Sequence, residues 1–357
     1  MAYDLTSSDP VTLFPEAELR DFVEGFLLAL GATGEEAGIV ADGIVTASLW
    51  YHPGQGQGVE KLVRYHRRVR DGGIVVDAPM RWEREGPGYA LLDAAKGFGY
   101  VAAQRAMAKA VEKARVTGFA GSWVRNSNHF GIAGYHALTA AKGGMIGWSM
   151  TNARAEMAPW GSAKPVLATN PWGIAIPYPK GDRSPVLLDM ALTMSGKGMM
   201  RWYLEQGRPI PETWALTPAG EKTTDPAAAM DGPMLPIGEY KGYGLSFVTD
   251  VLTGVMSGAS FGLSVFQNED RYDVGHVMIA LDPALFMPRD QFDERLAQLI
   301  SEVKGAPPID PARPVMLPGD LEHERALRRR REGIPVAQDT LEALRPLALG
   351  LNVEPLG

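Results

Sequence analysis

Asn126–Pro177, NSNHFGIAGYHALTAAKGGMIGWSMTNARAEMAPWGSAKPVLATNPWGIAIP, is the stretch on which the reading of this chain turns. It joins a polar, glycine-rich loop to an Ala/Leu-rich run at helical spacing and then to two Thr-Asn turns. That density of small and polar groups reads as a site. Asn126, Asn128 and His129 supply donors and acceptors, while Gly131 and Gly134 let the backbone approach a ligand. The helix expected after Gly134 turns unpaired N–H groups and the positive end of its dipole towards an anion.

Outward from this stretch, short β-rich runs at 119–125, 145–151 and 185–189 alternate with helical patterns, which predicts an α/β core with a sheet flanked by helices. Residues 16–30 and 35–50 have apolar positions at helical spacing around Gly31 and Gly34 and predict a helical hairpin. Helices are also expected over 59–70, 97–116, 241–257, 290–304 and 338–347, and a strand over 276–281. The 205–236 region, rich in Pro, Gly, Thr and Asp, reads as an extended connection, and Arg328–Arg331 as a solvated helix face. Strand order does not follow from the pattern.

Composition narrows the function classes. At 357 residues with 45% hydrophobic and 22% charged, the chain has room for two packed units or one large elaborated one and reads as an ordinary soluble protein. A net charge of −7 argues against a general nucleic-acid or anionic-membrane surface. Cysteine is absent, which excludes disulfides, thiolate metal sites and cysteine nucleophiles, so redox chemistry requires a bound cofactor. The histidines are scattered without ligand spacing, and no metal site is expected. The N-terminus lacks a secretory pattern and no apolar run reaches the roughly 20 residues that span a bilayer, so a cytoplasmic address is expected.

Gly97-Phe98-Gly99-Tyr100-Val101-Ala102 mimics a Rossmann GxGxxA after the β-like run 89–93. The segment 118–125 offers no acidic residue to hold a ribose, so these glycines read instead as letting a helix pack closely.

The Asn126–Pro177 spacing, continued through Leu188-Asp189-Met190-Ala191, Thr224-Asp225-Pro226, Pro236–Leu245 (PIGEYKGYGL), Leu317-Pro318-Gly319 and Arg331–Pro335, resembles the type-2 malate/L-lactate dehydrogenase family over nearly the whole chain. That family includes ureidoglycolate and sulfolactate dehydrogenases, diketogulonate reductases and cyclic-imine reductases. The resemblance implies a non-Rossmann nicotinamide-binding fold, a central sheet flanked by helices. A mainly helical substrate-side part would comprise 1–78 with 307–357, and an α/β cofactor-binding part 79–306. It also implies NAD or NADP as cofactor, a small carboxylate substrate and a homodimer.

Reduction of a ketone or imine by a nicotinamide requires a proton donor, a cation for the substrate carboxylate and a held acceptor carbon. Histidine suits the donor, and the chain has six. In the family a Ser-His-Gly followed by an Arg precedes the helix matching 59–70; here Gln57 stands at that His and Lys61 at that Arg, within Tyr51-His52-Pro53-Gly54-Gln55-Gly56-Gln57-Gly58. Glutamine cannot deliver a proton at neutral pH, so His52, folded back by the loop glycines, is the candidate donor; the rival reading is a turn residue before Pro53. His129 matches the family's NHFG-like segment, as proton acceptor or cofactor contact, or else orders its loop.

Asp189 matches an acid that orients the donor; as a carboxylate ending an apolar run it either pairs with a His or Lys or caps the following helix. Lys241, beside glycines at a helix start, matches a dinucleotide contact, and a cation there is awkward unless an anion binds. Lys61 and Arg64, three residues apart, are candidates for the substrate carboxylate, as are Gln57 and Thr169; the rival reading of the two cations is a solvated basic helix surface shared with Arg67, Arg68 and Arg70. The resemblance extends the cofactor set to Phe130, Gly131, Thr151, Asn152, Asn170, Leu188, Met190, Tyr240 and Gly319. The expectation is an NAD(P)-dependent oxidoreductase of a small 2-hydroxy acid and its 2-oxo acid. The alternatives are a reductase of a cyclic or N-alkyl imino acid, and a dinucleotide-binding homologue without catalysis.

Overall fold

A reciprocal cap opens the helical part of the chain. In the computed structural model, which describes residues 10–178, 185–266 and 273–357, β1 (Val11–Phe14) leads into α1 (Glu16–Ala29), and Thr33 then starts α2 (Gly34–Trp50). The Thr33 hydroxyl accepts from Glu36 N at 3.2 Å while the Glu36 carboxylate accepts from Thr33 N at 3.1 Å. Such a capping box contributes about 1 kcal/mol. Glu36 also accepts from Asp77 N at 3.0 Å, tying the hairpin to the chain that leaves α3 (Lys61–Arg70).

Then follow β2 (Arg81–Gly86), β3 (Tyr89–Asp93), α4 (Gly99–Thr117), β4 (Phe119–Ser127), α5 (Ala133–Lys142), β5 (Ile146–Thr151), β6 (Trp172–Ile176) and β7 (Val186–Met190). The rest comprises α6 (Lys197–Glu205), α7 (Pro226–Asp231), α8 (Tyr240–Asp250), β8 (Val274–Leu281), α9 (Arg289–Gly305), α10 (Asp320–Glu332), β9 (Ile334–Ala337) and α11 (Gln338–Gly350). A π-helical turn, Val251–Val255, continues α8. Among the described residues the strands form a β1–β9 ribbon and a seven-stranded sheet in the order β2-β3-β4-β8-β5-β6-β7. Only β3 and β4 pair in parallel in that sheet; all other neighbours are antiparallel. This is not a doubly wound parallel sheet, although β3, α4 and β4 make one local crossover around the GxGxxA.

Three apolar cores hold the layers. One gathers α1, α2, α3 and α11 around Phe26, Ile44, Leu62, Tyr65 and Leu344, and reaches Phe98, Tyr100 and Tyr135. In the second, Ala102, Ala106 and Ala110 let α4 lie close against Leu92, Val124 and Met278 of the sheet.

The third corrects an expectation. Residues 205–236 are not merely an extended connection, because Trp214, Ala229 and Met234 pack with Met199, Met200 and Trp202 of α6 into a core of their own. Lys197 fastens it, its Nζ donating to the carbonyls of Ala229 at 2.6 Å and Met230 at 2.9 Å at the end of α7. The basic run of α10 is also not simply solvated: Arg329 is buried and donates to Ser48 O and Tyr51 O, both at 2.6 Å, while Arg325 donates to Trp50 O. The last turn of α2 carries no basic residue of its own, and α10 supplies its cap. No helix among the described residues is long and apolar enough to cross a membrane.

Candidate active site

The His129 loop is built from below. At the end of β4, Asn128 is fully buried and its Nδ2 donates to the carbonyls of Gly73 (3.1 Å), Lys96 (2.8 Å) and Gly97 (3.1 Å). Gly99, first residue of α4, lies directly beneath: a Cβ there would stand 2.1 Å from Asn128 O and 2.5 Å from His129 O. The glycines of the GxGxxA thus serve close packing, and what packs onto them is the candidate loop.

His129 Nδ1 lies 3.0 Å from the Tyr65 hydroxyl and 3.2 Å from Gly131 N. Both groups donate into Nδ1, which assigns the ring proton to Nε2. Gly131 adopts φ +82°, and a side chain there would collide with the Tyr100 hydroxyl. Burial first, then the charges of Lys61, Arg68 and Arg64, hold the imidazole well below its ordinary pKa. His129 is therefore a neutral ring offering an N–H.

Those cations come from one face of α3, where Lys61, Arg64, Tyr65 and Arg68 recur at helical spacing. Tyr65 is buried, between His129 and the rings of Phe98 and Tyr100. Arg68 is also buried, with its guanidinium 5.3 Å from the Phe266 ring centroid, so its reading as a solvated charge is corrected. Arg64 is exposed. Lys61 is half-buried, and burial, with Arg64 next, lowers its pKa to about 8 against the opposing pull of Glu60 and Glu156. Glu60 turns its carboxylate back onto Gly58 N at 2.8 Å.

The loop before α3 is tied elsewhere. His52 Nδ1 accepts from Gly54 N at 3.0 Å, capping the 3-10 turn Pro53–Gln55, and its ring meets Trp202 edge-on at 4.7 Å. Gln57 keeps Oε1 buried with no hydrogen-bond partner.

Asp189, on β7, accepts from Gly134 N at 2.9 Å and from the Tyr51 hydroxyl. Its partner is thus neither a His nor a Lys, and the helix it caps is α5, which precedes it. Burial raises its pKa to about 6 against the lowering by Gly134 and Tyr51.

The expected cofactor residues fall into two groups. Phe130 is sandwiched between His136 at 4.7 Å and His276 at 4.9 Å. Thr151 Oγ1 bonds His276 Nδ1 at 2.8 Å, Asn152 bridges Ser260 O (2.7 Å) and Gly275 N (2.9 Å), and Asn170 Nδ2 reaches Ser246 O at 2.9 Å. These side chains bind the sheet to α8 and β8. Burial keeps His136 neutral with a pKa lowered to about 4, and His276 to about 3.

The second group borders β7. Leu188 and Met190 alternate with Asp189 and face the other side of the sheet. Gly319, at φ +92°, presses on Leu187, whose N–H donates to Pro318 O at 3.0 Å. Thr169 O accepts from Leu192 N at 2.7 Å, and Ile237 N donates to Leu192 O at 3.0 Å, which brings the start of α8 beside the chain leaving β7. Tyr240 and Lys241 are exposed there, after Glu239 in an unusual φ +60°, ψ −119° conformation. Among the described residues no group of His, Asp and Glu is placed to hold a metal.

Tyr65, Tyr51 and Arg68 escaped the sequence reading. Tyr65 and Arg68 were recoverable, four and seven residues after Lys61 on its face; Tyr51 carried no such signal.

Residues 14–345 match the family model described as malate/L-lactate dehydrogenase. The chain is 39% identical over 351 residues to the malate dehydrogenase of Pyrococcus abyssi, covering 96% of each. It is 37% identical over 342 residues to the L-sulfolactate dehydrogenase of Methanothermobacter thermautotrophicus, covering 95% of this chain and 97% of that one. The solved malate dehydrogenase of Pyrococcus horikoshii OT3 superposes with a TM-score of 0.88 at 35% identity, over 98% of this chain and 99% of that chain. By sequence and by architecture alike, this chain belongs to the malate/L-lactate dehydrogenase family.

Proposed function

We propose that this dehydrogenase interconverts a small 2-oxo acid carrying a second anionic group, of the size of oxaloacetate or sulfopyruvate, with its 2-hydroxy acid. The observation that carries this reading is that Lys61, Arg64 and Arg68 recur on the face of α3 whose Tyr65 hydroxyl bonds His129 at 3.0 Å. A substrate with two anionic groups is better matched to such a cationic helix face than one with a single carboxylate.

The residues around β7 and α8 fit a pyridine dinucleotide. Lys241 is exposed and has no ion-pair partner among the described residues, and Ser195 Oγ and Asn170 Oδ1 are buried without hydrogen-bond partners. Lys241 would hold phosphate or ribose oxygens. When bound, the reduced nicotinamide supplies the hydride. The chain's own part is to hold the substrate carboxylate against α3, to point His129 Nε2–H at the carbonyl oxygen and to keep that proton in place through Tyr65 and Gly131. NADH and NADPH are both admitted, and the helical part, 1–78 with 307–357, is read as the substrate side. Exposed Phe247, Val248, Val255 and Met256 on α8 and its π-helical turn support a homodimer.

A turnover screen with each reduced dinucleotide against oxaloacetate, sulfopyruvate, pyruvate and a cyclic imino acid tests the reading. The dianions are expected to give the highest kcat/KM. Preference for pyruvate or the imino acid would overturn the dianion assignment.

A further inference from the structure

We propose that Lys61 Nζ is the group that protonates the substrate oxygen during reduction and takes the proton back during oxidation. This rests on the oxidoreductase reading above.

The other side chains at the site are committed. His129 Nδ1 receives two donors, so delivering the Nε2 proton would leave an imidazolate. The Tyr65 hydroxyl points at that ring, and burial pushes it up to about 12. A guanidinium is not a proton donor of use in this step, and the Gln57 amide has no acidic proton to give. His52 caps its own turn against Trp202, and Asp189 is held by Gly134 and Tyr51.

Lys61 differs from all of these. It is half-buried in the first turn of α3, one turn before Tyr65, whose hydroxyl bonds His129, and its ammonium has neither a hydrogen bond nor an ion pair among the described residues. The charged groups around it are Glu60, Arg64 and Arg68 on α3, Glu156 from the β5–β6 connection, and the His129 ring. Their balance, with burial, brings its pKa to about 8, where a general acid at neutral pH is effective.

In the step, hydride adds to C2 of the 2-oxo acid and the C=O π pair moves onto oxygen. That oxygen takes a proton from Lys61, the amine left behind is reprotonated by solvent, and the dinucleotide leaves oxidised. One 2-oxo acid, one reduced dinucleotide and one proton thus become one 2-hydroxy acid and one oxidised dinucleotide. Lys61 is charged below about pH 8, so reduction should fall as pH rises through that value while oxidation should rise.

Lys61→Arg keeps the cation but not the acid. Reduction turnover is expected to drop by roughly 10²–10⁴-fold with loss of the limb near pH 8, while KM for the oxo acid changes far less. Because the chain has no cysteine, Lys61→Cys can be alkylated with 2-bromoethylamine at that position alone. The resulting amine, less basic than lysine, should restore turnover with the limb moved to lower pH. Without turnover, calorimetry of oxalate binding to the dinucleotide complex at pH 9, in buffers of different ionisation heat, should show proton uptake in wild type and none in Lys61→Arg.

Turnover within tenfold of wild type in Lys61→Arg with the same limb, or equal proton uptake in both proteins, overturns the assignment of Lys61 alone. Wild type that neither binds dinucleotide nor turns over any oxo acid overturns the oxidoreductase reading and this inference with it.

Discussion

Gly99→Ala probes the link between packing and catalysis at one atom. The added methyl would sit 2.1 Å from Asn128 O and 2.5 Å from His129 O, where an ordinary contact begins near 3.4 Å. The His129 loop or the start of α4 must therefore move by about 1 Å, and misplacement on that scale can cost about 10²-fold in rate. Overpacking destabilises by about 1–3 kcal/mol, offset by about 0.5–1 kcal/mol from replacing a helical glycine. The net loss should be about 1–2 kcal/mol in urea unfolding followed by tryptophan fluorescence, with kcat down about 10²-fold. Gly34→Ala is the control: nothing lies within 4 Å of a Cβ there, so turnover should hold. Wild-type kcat in Gly99→Ala would refute the idea that α4 positions His129.

His129→Gln should lower kcat by roughly 10²–10³-fold in steady-state assays, the usual cost of one donor to a developing oxyanion. Asp189 titrates near 6 in the fold, above its unfolded value, so its stabilising share is present in acid and fades as pH rises through about 6. Asp189→Asn should accordingly stabilise the fold at pH 7 by about 1 kcal/mol once partial exposure is allowed for, seen as a raised thermal midpoint, and leave that midpoint nearly unchanged at pH 4. Arg329→Met strips Ser48 O and Tyr51 O of a buried donor and should cost about 2–4 kcal/mol in chemical unfolding, without changing dinucleotide affinity. Lys241→Met should weaken dinucleotide binding roughly tenfold by tryptophan quenching, while kcat at saturating dinucleotide is kept.

Local signals carried the helices: apolar spacing around Gly31 and Gly34 marks α1 and α2. The sheet was legible only as separate strands. Its order depends on pairings such as that of β4 with β8, where Ser127 Oγ meets His276 Nε2 across 149 residues, and no local pattern encodes a partner so distant. The same limit hid α10 as the cap of α2, since Arg329 reads as surface until its carbonyl acceptors are in place. At the site, the polar loop around His129 announced itself because Asn, His and Gly cluster there for backbone reasons. The state of each group did not, because Lys61 and Asp189 take their chemistry from neighbours supplied by other elements.

The most direct measurement follows the absorbance of NADH and NADPH when purified, folded protein is mixed with oxaloacetate or sulfopyruvate. The expected result is a catalytic decay with at least one dinucleotide that slows as pH rises through about 8. No decay with either dinucleotide, together with no quenching of tryptophan fluorescence on its addition, would contradict the assignment of this site.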